Sequence, residues 1–174
     1  MRPSNSQMSE KTFGLKATNS GRKLVGLISD THGLIRPQAL AALRAVDLII
    51  HAGDIGEPEV FEALQAVAPL VAIKGNVDRG GWAKPLPDTR ALKIGGARVF
   101  VIHNINELEF DPAARGYQVV ISGHSHQPSI VTRAGVLFVN PGSAGPKRFK
   151  LPVAVANLRV DGLAVSAEIA YLEV

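Results

Sequence analysis

The chain of 174 residues contains no cysteine, so disulfides, thiolate nucleophiles and thiolate metal sites are excluded. No apolar run reaches the ~18 residues that a membrane-spanning helix needs. Residues 1–22 contain no apolar stretch of the kind found in secretory signals. Together these absences favour a protein of the cytoplasm.

Aromatic residues are also scarce, at 5% of the chain, and no basic stripe carries interleaved aromatics. The sequence therefore shows no pattern typical of a nucleic-acid-binding surface. The net charge is a mild +4, and three of the basic residues cluster as Lys147, Arg148 and Lys150. Such a cluster could bind an anionic ligand such as a phosphate ester, but solvated surface charge explains most of the basic residues.

The length is sufficient for one domain with a substantial core. Residues 1–22 are rich in Ser, Asn, Lys and Gly and lack periodicity, which predicts a flexible extension. The domain itself is predicted to span residues 23–174.

The first half of that domain alternates between strand and helix patterns. Apolar runs predict buried strands at residues 23–29, 47–51 and 70–74, and helical spacing predicts helices at 37–44 and 58–67. This alternation is typical of parallel βαβ units.

The second half is predicted to be β-rich and largely antiparallel. Hairpins are indicated at Gly95-Gly96, Ala134-Gly135 and Asp161-Gly162, with a further buried strand at 118–122. Residues 111–116 are a short helix at best. We therefore expect an α/β fold in which two mixed β-sheets pack face to face with helices outside.

The predicted buried strands end in side chains that can bind a metal. In chain order these are Asp30, His32, Asp54, Asn76, His103, His124 and His126. Because ligand sites form beyond the carboxyl ends of the strands in α/β sheets, we expect these side chains to meet at one rim. The mixture of oxygen and nitrogen donors suits Mn, Fe, Zn, Ni or Co, and seven donors suit two metals that share one carboxylate.

Taken singly, several of these residues have plainer explanations. Asp30 could cap a turn, Asn76 follows Gly75 in a common turn dipeptide, and residues 140–143 read as a simple turn. His51 lies inside an apolar strand and is interpreted as a hydrogen-bonded core histidine. The joint placement of four of the five histidines at strand ends is what favours a metal site.

Five ordered segments resemble the motifs of the calcineurin-like metallophosphoesterases: Asp30-Thr31-His32, Gly53-Asp54, Gly75-Asn76-Val77-Asp78, His103 and Gly123-His124-Ser125-His126. With Asn140-Pro141-Gly142-Ser143, the chain is similar to the small bacterial and archaeal phosphodiesterase branch of that superfamily. The resemblance extends from about residue 23 to the end of the chain. It implies a four-layer α/β/β/α sandwich of two mixed β-sheets flanked by helices.

The resemblance also implies roles for individual residues. The first metal would be held by Asp30, His32 and His126, the second by Asn76, His103 and His124, and Asp54 would bridge them. The implied reaction is hydrolysis of a small phosphodiester by a metal-bridging hydroxide, with manganese the expected metal and Ni, Fe, Zn or Co as alternatives. Arg79, directly after the third motif, is the candidate cation for charge that develops on the phosphoryl oxygens, although a solvated loop arginine is the plainer explanation.

Two positions depart from the family pattern. Many members carry a histidine where this chain has Val77, and valine cannot protonate a leaving group. We therefore expect faster turnover of aryl esters than of esters with poor leaving groups. His103 is followed by Asn104, Ile105 and Asn106 in place of the usual Gly-His, which affects the expected substrate contacts.

Two other functions remain open at this point. The retromer subunit of the same fold family resembles this chain in motif layout and works mainly as a protein-interaction scaffold. A phosphomonoesterase or protein phosphatase is the third candidate, and Val77 argues against it. A homo-oligomer could form through edge strands of the C-terminal hairpin.

Overall fold

The computed structural model describes residues 11–12 and 21–174, which contain two helices and the strands of two mixed β-sheets. In chain order the elements are β1 (Lys11–Thr12), β2 (Arg22–Ile28), α1 (Pro37–Ala42), β3 (Leu48–His51), α2 (Pro58–Gln65), β4 (Leu70–Ala72), β5 (Thr89–Ile94), β6 (Ala97–Ile102), β7 (Val119–Ile121), β8 (Ser129–Arg133), β9 (Val136–Asn140), β10 (Ala154–Asp161) and β11 (Ala164–Tyr171). Short 3₁₀ turns lie at Gly81–Ala83 and Ile105–Glu107. Residues 112–116 form a turn, so no helix is present there.

The five-stranded sheet has the order β11-β10-β2-β3-β4. Its strands β2, β3 and β4 are parallel, as the alternation of strands and helices predicts. Helices α1 and α2 each begin at a proline, whose missing N–H is not needed in the first turn. An apolar layer that includes Leu43, Ile49 and Leu64 covers the outer face of this sheet.

The six-stranded sheet has the order β1-β5-β6-β7-β9-β8. The predicted hairpins β5–β6 and β8–β9 are antiparallel, but β7 runs parallel to both of its neighbours, β6 and β9. The second half is therefore more mixed than its hairpin signals indicate, because the strands on either side of β7 are reached by crossover connections. Strand β1 pairs with β5; the rest of the predicted N-terminal extension lies outside the described residues, apart from Gly21 and Arg22.

The main core lies between the two sheets, where Val25, Leu27 and Ile50 share one apolar cluster with Val99 and Ile121. The outer face of the six-stranded sheet is covered by a thin layer built from the 3₁₀ turn Ile105–Glu107 and the loop that follows it. In that layer Phe110 packs edge-on against Phe100, with ring centroids 4.9 Å apart. The four-layer sandwich is confirmed, and its fourth layer is mostly loop.

Each sheet sends three parallel strands towards the same rim. Strands β2, β3 and β4 come from the five-stranded sheet, and β6, β7 and β9 from the six-stranded sheet. Because the carboxyl ends of parallel strands meet at one edge, this topology places six strand ends around a single site. No helix in the described part of the chain is long and apolar enough to span a membrane.

Candidate metal centre

The backbone is unusual at the predicted ligands. Five of the seven have a left-handed φ: 55° at Asp30, 46° at His32, 57° at Asp54, 69° at His124 and 61° at His126. Among the other described residues, only two non-glycine positions share this conformation. Left-handed backbone is disfavoured for residues with a Cβ and tends to cluster at functional sites, so its concentration here marks the rim as one.

The first group of side chains consists of Asp30, His32 and His126. The Nε2 atom of His126 lies 3.3 Å from Asp30 Oδ1 and 3.3 Å from His32 Nε2. Asp30 is fully buried, and its Oδ1 atom accepts no hydrogen bond from any residue that the structure describes. Two ring nitrogens and an unsatisfied carboxylate oxygen thus converge on one point, which is a donor set suited to a divalent transition metal.

The second group joins Asp30 and Asp54 to His103. The Nε2 atom of His103 lies 3.2 Å from Asp54 Oδ2 and 3.9 Å from Asp30 Oδ1, without the alignment that a hydrogen bond needs. Its Nδ1 atom is 2.7 Å from the Ala52 carbonyl oxygen, to which it can only donate. In the neutral ring, Nε2 therefore presents its lone pair to carboxylate oxygens, an arrangement that a cation between them would stabilise.

Asp54 belongs to the second group and also faces His32 of the first, while Asp30 belongs to both groups. Its Oδ1 atom accepts the Val77 N–H at 3.1 Å, and its Oδ2 atom is 3.7 Å from His32 Nε2 as well as close to His103. Burial alone would raise the pKa of this carboxyl, but the contacts with His103 and Val77 lower it to about 2. The carboxylate is therefore ionised at neutral pH, as a metal-bridging ligand must be.

The remaining two predicted ligands, His124 and Asn76, lie on the open side of the rim. The ring of His124 is exposed and its centroid is 5.2 Å from that of His103. Its backbone N–H donates to Asp30 Oδ2 at 3.1 Å, which joins the two sheets across the site. Asn76 is exposed in the turn after β4 and lines a cleft together with His103.

The imidazoles of the two groups respond differently to their surroundings. Burial lowers the pKa of His32, and the opposing attraction of Asp54 and Asp30 does not compensate. Burial would also lower the pKa of His103, but the Asp54 carboxylate and the Ala52 carbonyl raise it. The difference between the two imidazoles thus comes from the hydrogen-bond acceptors around His103, since both carboxylates act on both rings.

Comparisons with known proteins agree with this geometry. Residues 24–162 match the family described as "Calcineurin-like phosphoesterase superfamily domain". The chain belongs to this superfamily. A probable metallophosphoesterase of Methanothermobacter thermautotrophicus is 37% identical over 158 residues, which cover 84% of this chain and 91% of the relative.

Solved structures of metallophosphoesterase folds share the architecture. An archaeal phosphodiesterase matches with a TM-score of 0.71 at 23% identity, over 84% of this chain and 99% of that one. Vps29 of Chaetomium thermophilum also matches with a TM-score of 0.71, at 17% identity over 86% of this chain and 98% of that one. At these identities the likeness shows the fold alone.

Metallophosphoesterases use divalent metal ions, and the residues present in this chain fit such ions. The fit rests on the buried, unpartnered Oδ1 of Asp30 and Nε2 of His103, which face one another across the site. Neither atom has a hydrogen-bond partner among residues 11–12 and 21–174, and leaving polar atoms buried without one is costly. A metal ion would satisfy both.

Asp78 is a positioning residue to which the sequence interpretation gave no role. Its carboxylate accepts three backbone N–H groups, from Ile55 at 3.2 Å, Gly56 at 2.8 Å and Gly75 at 2.8 Å. It therefore ties the loop that carries Asp54 to the loop that carries Asn76. The signal was present in the Gly75–Asp78 motif, of which only Asn76 and Val77 were interpreted.

Residues 140–143, at the end of β9 and in the turn after it, form hydrogen bonds to other loops of the site. Asn140 Nδ2 donates to the Gly123 carbonyl at 2.9 Å and to Ser125 Oγ at 3.0 Å. The Ser143 hydroxyl donates to the Asp30 carbonyl at 2.9 Å. Both residues hold the turns that carry predicted ligands, a role that a turn prediction alone does not reveal.

Gly123 and Gly75 allow the loops to approach this closely. A Cβ on Gly123 would collide with Ser29 Oγ, and a Cβ on Gly75 would collide with Asp54 Oδ1. Both positions therefore need glycine for space, since their own backbone lies against side chains of the site.

His51 has the environment expected of a core histidine. Its Nδ1 atom accepts the Gly53 N–H at 3.1 Å, so its Nε2–H donates to Thr31 Oγ1 at 2.9 Å. The Thr31 hydroxyl in turn donates to the Ile55 carbonyl at 2.9 Å. Burial lowers the pKa of His51 to about 4, so this bracing histidine is neutral in the folded protein.

Arg79 is not brought into the cluster of predicted ligands. Its side chain is exposed in the loop after β4 and makes no hydrogen bond or ion pair within the described part of the chain. Another cation, Arg148, lies near enough to His32 to act on it: burial is the main cause that lowers the pKa of that imidazole, and the charge of Arg148 adds to it. Arg148 belongs to the basic cluster for which the sequence left open either an anionic ligand or solvated surface charge.

Proposed function

We propose that the protein is a phosphodiesterase that hydrolyses a small phosphodiester at a dinuclear metal centre. The observation that carries this proposal is the position of Asp54, whose Oδ2 atom is within 3.7 Å of one imidazole from each ligand group. The proposed ligands are Asp30, His32 and His126 for one metal and Asn76, His103 and His124 for the other, with Asp54 shared. Manganese is the proposed metal, and the cytoplasm stays the predicted location.

Two divalent ions bound there would supply Lewis acidity and a water that is activated near neutral pH. The protein's own part is to fix the donor atoms in advance. The His103 Nδ1–H bond to Ala52 holds the tautomer in which Nε2 can bind a metal. The left-handed turns and the Asp78 carboxylate hold the other donors in place before any substrate arrives.

The substrate would approach from the open side, where Asn76 and His124 are exposed. Arg79 is the proposed cation on that side, because it follows the third motif in the same exposed loop. A guanidinium can donate two parallel hydrogen bonds to phosphoryl oxygens as their charge increases. This role does not require Arg79 to have a protein partner in the absence of substrate.

Neither Val77 nor Asn104 can protonate the leaving group on the open side. Val77 is 43% exposed at the rim and has no ionisable atom. The side-chain oxygen of Asn104 accepts the Asn106 N–H at 3.1 Å and so caps the 3₁₀ turn. Leaving groups that need no protonation, such as nitrophenolate, should therefore be favoured.

The test is hydrolysis of bis(p-nitrophenyl) phosphate by metal-free protein to which Mn²⁺ is added. Asp54→Ala and His124→Ala should each remove the metal-dependent rate, while the exposed Asp161→Ala variant should keep it. Metal analysis at saturation should give two ions per chain. A lack of metal-dependent hydrolysis in the wild type, or activity that survives both ligand substitutions, would refute the proposal.

A protein-interaction scaffold is the second candidate, and the fold shared with Vps29 is the observation that favours it. A scaffold needs the surface but not the chemistry, so it would bind metal without hydrolysing diesters. Metal saturation with no turnover of bis(p-nitrophenyl) phosphate or p-nitrophenyl phosphate would favour this reading. A preference for the monoester would instead identify a phosphomonoesterase.

A further inference from the structure

The segment after β9 is fixed against the turn that carries the first predicted ligand. The Ser143 hydroxyl donates to the Asp30 carbonyl at 2.9 Å. Gly145 packs so closely that a Cβ there would collide with the carbonyl groups of Asp30 and Thr31. The chain therefore leaves the site only two residues before the Lys147–Lys150 segment, which we call the basic turn.

The basic turn carries three exposed cations, Lys147, Arg148 and Lys150. The Arg148 carbonyl accepts the Leu151 N–H at 3.0 Å, which closes the turn. Because Gly145 packs against the Asp30–Thr31 turn and Lys147 follows two residues later, the basic turn begins on the side of the first ligand group. Three positive charges in four residues, beside a site for phosphate esters, would attract an anionic substrate.

Phe149, between these cations, combines two features that folding alone does not favour. Its side chain is 96% exposed, the highest value among the exposed large hydrophobic residues, and its φ is 51°. A single exposed hydrophobic residue is ordinary, but a bulky residue with left-handed backbone is an outlier. Such violations of local preference are concentrated at functional sites, and the predicted ligands share the same backbone conformation.

We propose that the basic turn binds the substrate, with Phe149 stacked on a planar aromatic group of the phosphodiester and Arg148 in contact with its phosphate. This inference rests on the proposed phosphodiesterase function and specifies its substrate class. An exposed aromatic face flanked by cations matches a group that is both planar and phosphorylated, as the nucleobase and phosphate of a nucleotide are. Arginine suits the phosphate because its planar fork pairs with two oxygens.

The experiment compares three diesters that share a p-nitrophenyl leaving group and differ in the other ester group: thymidine 5′-(p-nitrophenyl phosphate), phenyl p-nitrophenyl phosphate and ethyl p-nitrophenyl phosphate. The wild-type protein loaded with Mn²⁺ should show a KM about tenfold lower for the thymidine ester than for the ethyl ester. An equal preference for the phenyl ester would identify any aryl ring as the recognised group, and a greater preference for thymidine would identify the nucleobase.

The Phe149→Ala variant should reduce that preference about tenfold, because the stacking surface is lost. Phe149→Trp should retain the preference, whereas Phe149→Leu, which keeps the apolar bulk but not the ring, should behave like Phe149→Ala. Leu163→Ala removes an apolar side chain that is 67% exposed in the β10–β11 turn, at the end of the sheet opposite the rim, and should keep the wild-type ratio. Arg148→Ala should raise KM for all three esters, since all carry the phosphate.

A second readout does not depend on turnover. Calorimetric titration of the metal-loaded protein with thymidine 5′-monophosphate and with ethyl phosphate should give about tenfold tighter binding of the nucleotide, and Phe149→Ala should remove the difference. No preference for an aromatic ester in the wild type, or equal effects of Phe149→Ala on all three esters and both ligands, would overturn the inference. If the ethyl ester is turned over without such a preference, the phosphodiesterase proposal stands and only this inference fails. If none of the three esters is turned over, both the phosphodiesterase proposal and this inference fail.

Discussion

The two sides of the rim differ in how they hold their side chains. On the closed side, Asp30, Asp54, His103 and His126 are buried, and in the described part of the chain polar atoms of three of them have no hydrogen-bond partner. On the open side, Asn76, His124 and Val77 are exposed. The closed side resembles a preformed ligand set whose geometry the fold enforces, whereas the open side leaves room for a substrate. Substitutions on the closed side should therefore reduce metal binding or stability, whereas those on the open side should mainly alter substrate turnover.

The largest effect is expected on the closed side, from Asp54→Ala. The substitution removes the carboxylate proposed to bind both metals, so the Mn²⁺-dependent rate should fall by about a thousandfold or more. Metal bound at saturation should also fall below two ions per chain. Elemental analysis and hydrolysis of bis(p-nitrophenyl) phosphate measure the two effects. Full metal binding by this variant would show that Asp54 is not the bridge.

Asp78→Ala should destabilise the loops of the closed side, although Asp78 is not a proposed metal ligand. Three backbone N–H groups would lose a charged acceptor, and we expect a loss of about 3 kcal/mol in the free energy of unfolding. Urea denaturation of metal-free protein measures this loss. Asp161→Ala is the matched control, because the Asp161 side chain forms an exposed ion pair with Arg22, and the variant should change stability by less than about 1 kcal/mol. Equal losses in the two variants would remove Asp78 from the positioning role.

His51, which is buried and hydrogen-bonded to Thr31 and Gly53, should make stability depend on pH. The pKa of His51 is about 4 in the folded protein, below the ordinary value of 6.5, so the unfolded chain binds more protons between these two pH values. The contribution of the neutral ring is complete above pH 6.5 and is lost as pH falls towards 4, by about 3 kcal/mol in total. Denaturant unfolding of metal-free protein at pH 7 and pH 4 measures the loss.

His51→Gln is the comparison for this pH dependence, because glutamine stays neutral throughout. The variant should lose less stability than the wild type over the same pH interval. A wild-type slope that His51→Gln leaves unchanged would assign the pH dependence to other groups.

The contrast between the two sides also shows what the sequence could reveal. Strand ends that carry Asp30, Asp54 and His103 are visible as apolar runs that stop at a ligand, so the rim and its seven candidate donors could be predicted. The parallel pairing of β7 with β6 and β9 could not, because crossover order leaves no local signal.

The supporting contacts were equally hidden from sequence reasoning. Asn140 and Asp78 act through hydrogen bonds to backbone groups of other loops, and residue types alone do not identify such partners. Arg148 was recognised as part of a basic cluster, but its nearness to His32 follows from the packing of Gly145 against the Asp30 turn. The sequence does not reveal such long-range contacts, and one of them places the basic turn beside the first ligand group.

The smallest effect is expected on the open side, at Val77. Its backbone N–H donates to Asp54 Oδ1, and any substitution other than proline keeps that bond, so Val77→His should change stability by less than about 0.5 kcal/mol. An imidazole at this exposed position could protonate a poor leaving group. The rate of diphenyl phosphate hydrolysis should therefore rise about tenfold relative to that of bis(p-nitrophenyl) phosphate.

Val77→Leu is the control for this last change, because it alters the shape of the side chain without adding a proton donor. It should leave the ratio of the two rates unchanged. An equal rise in Val77→Leu would attribute the effect to packing. No rise in Val77→His would mean that the leaving group departs on another side of the site, and the open side would then serve for entry alone.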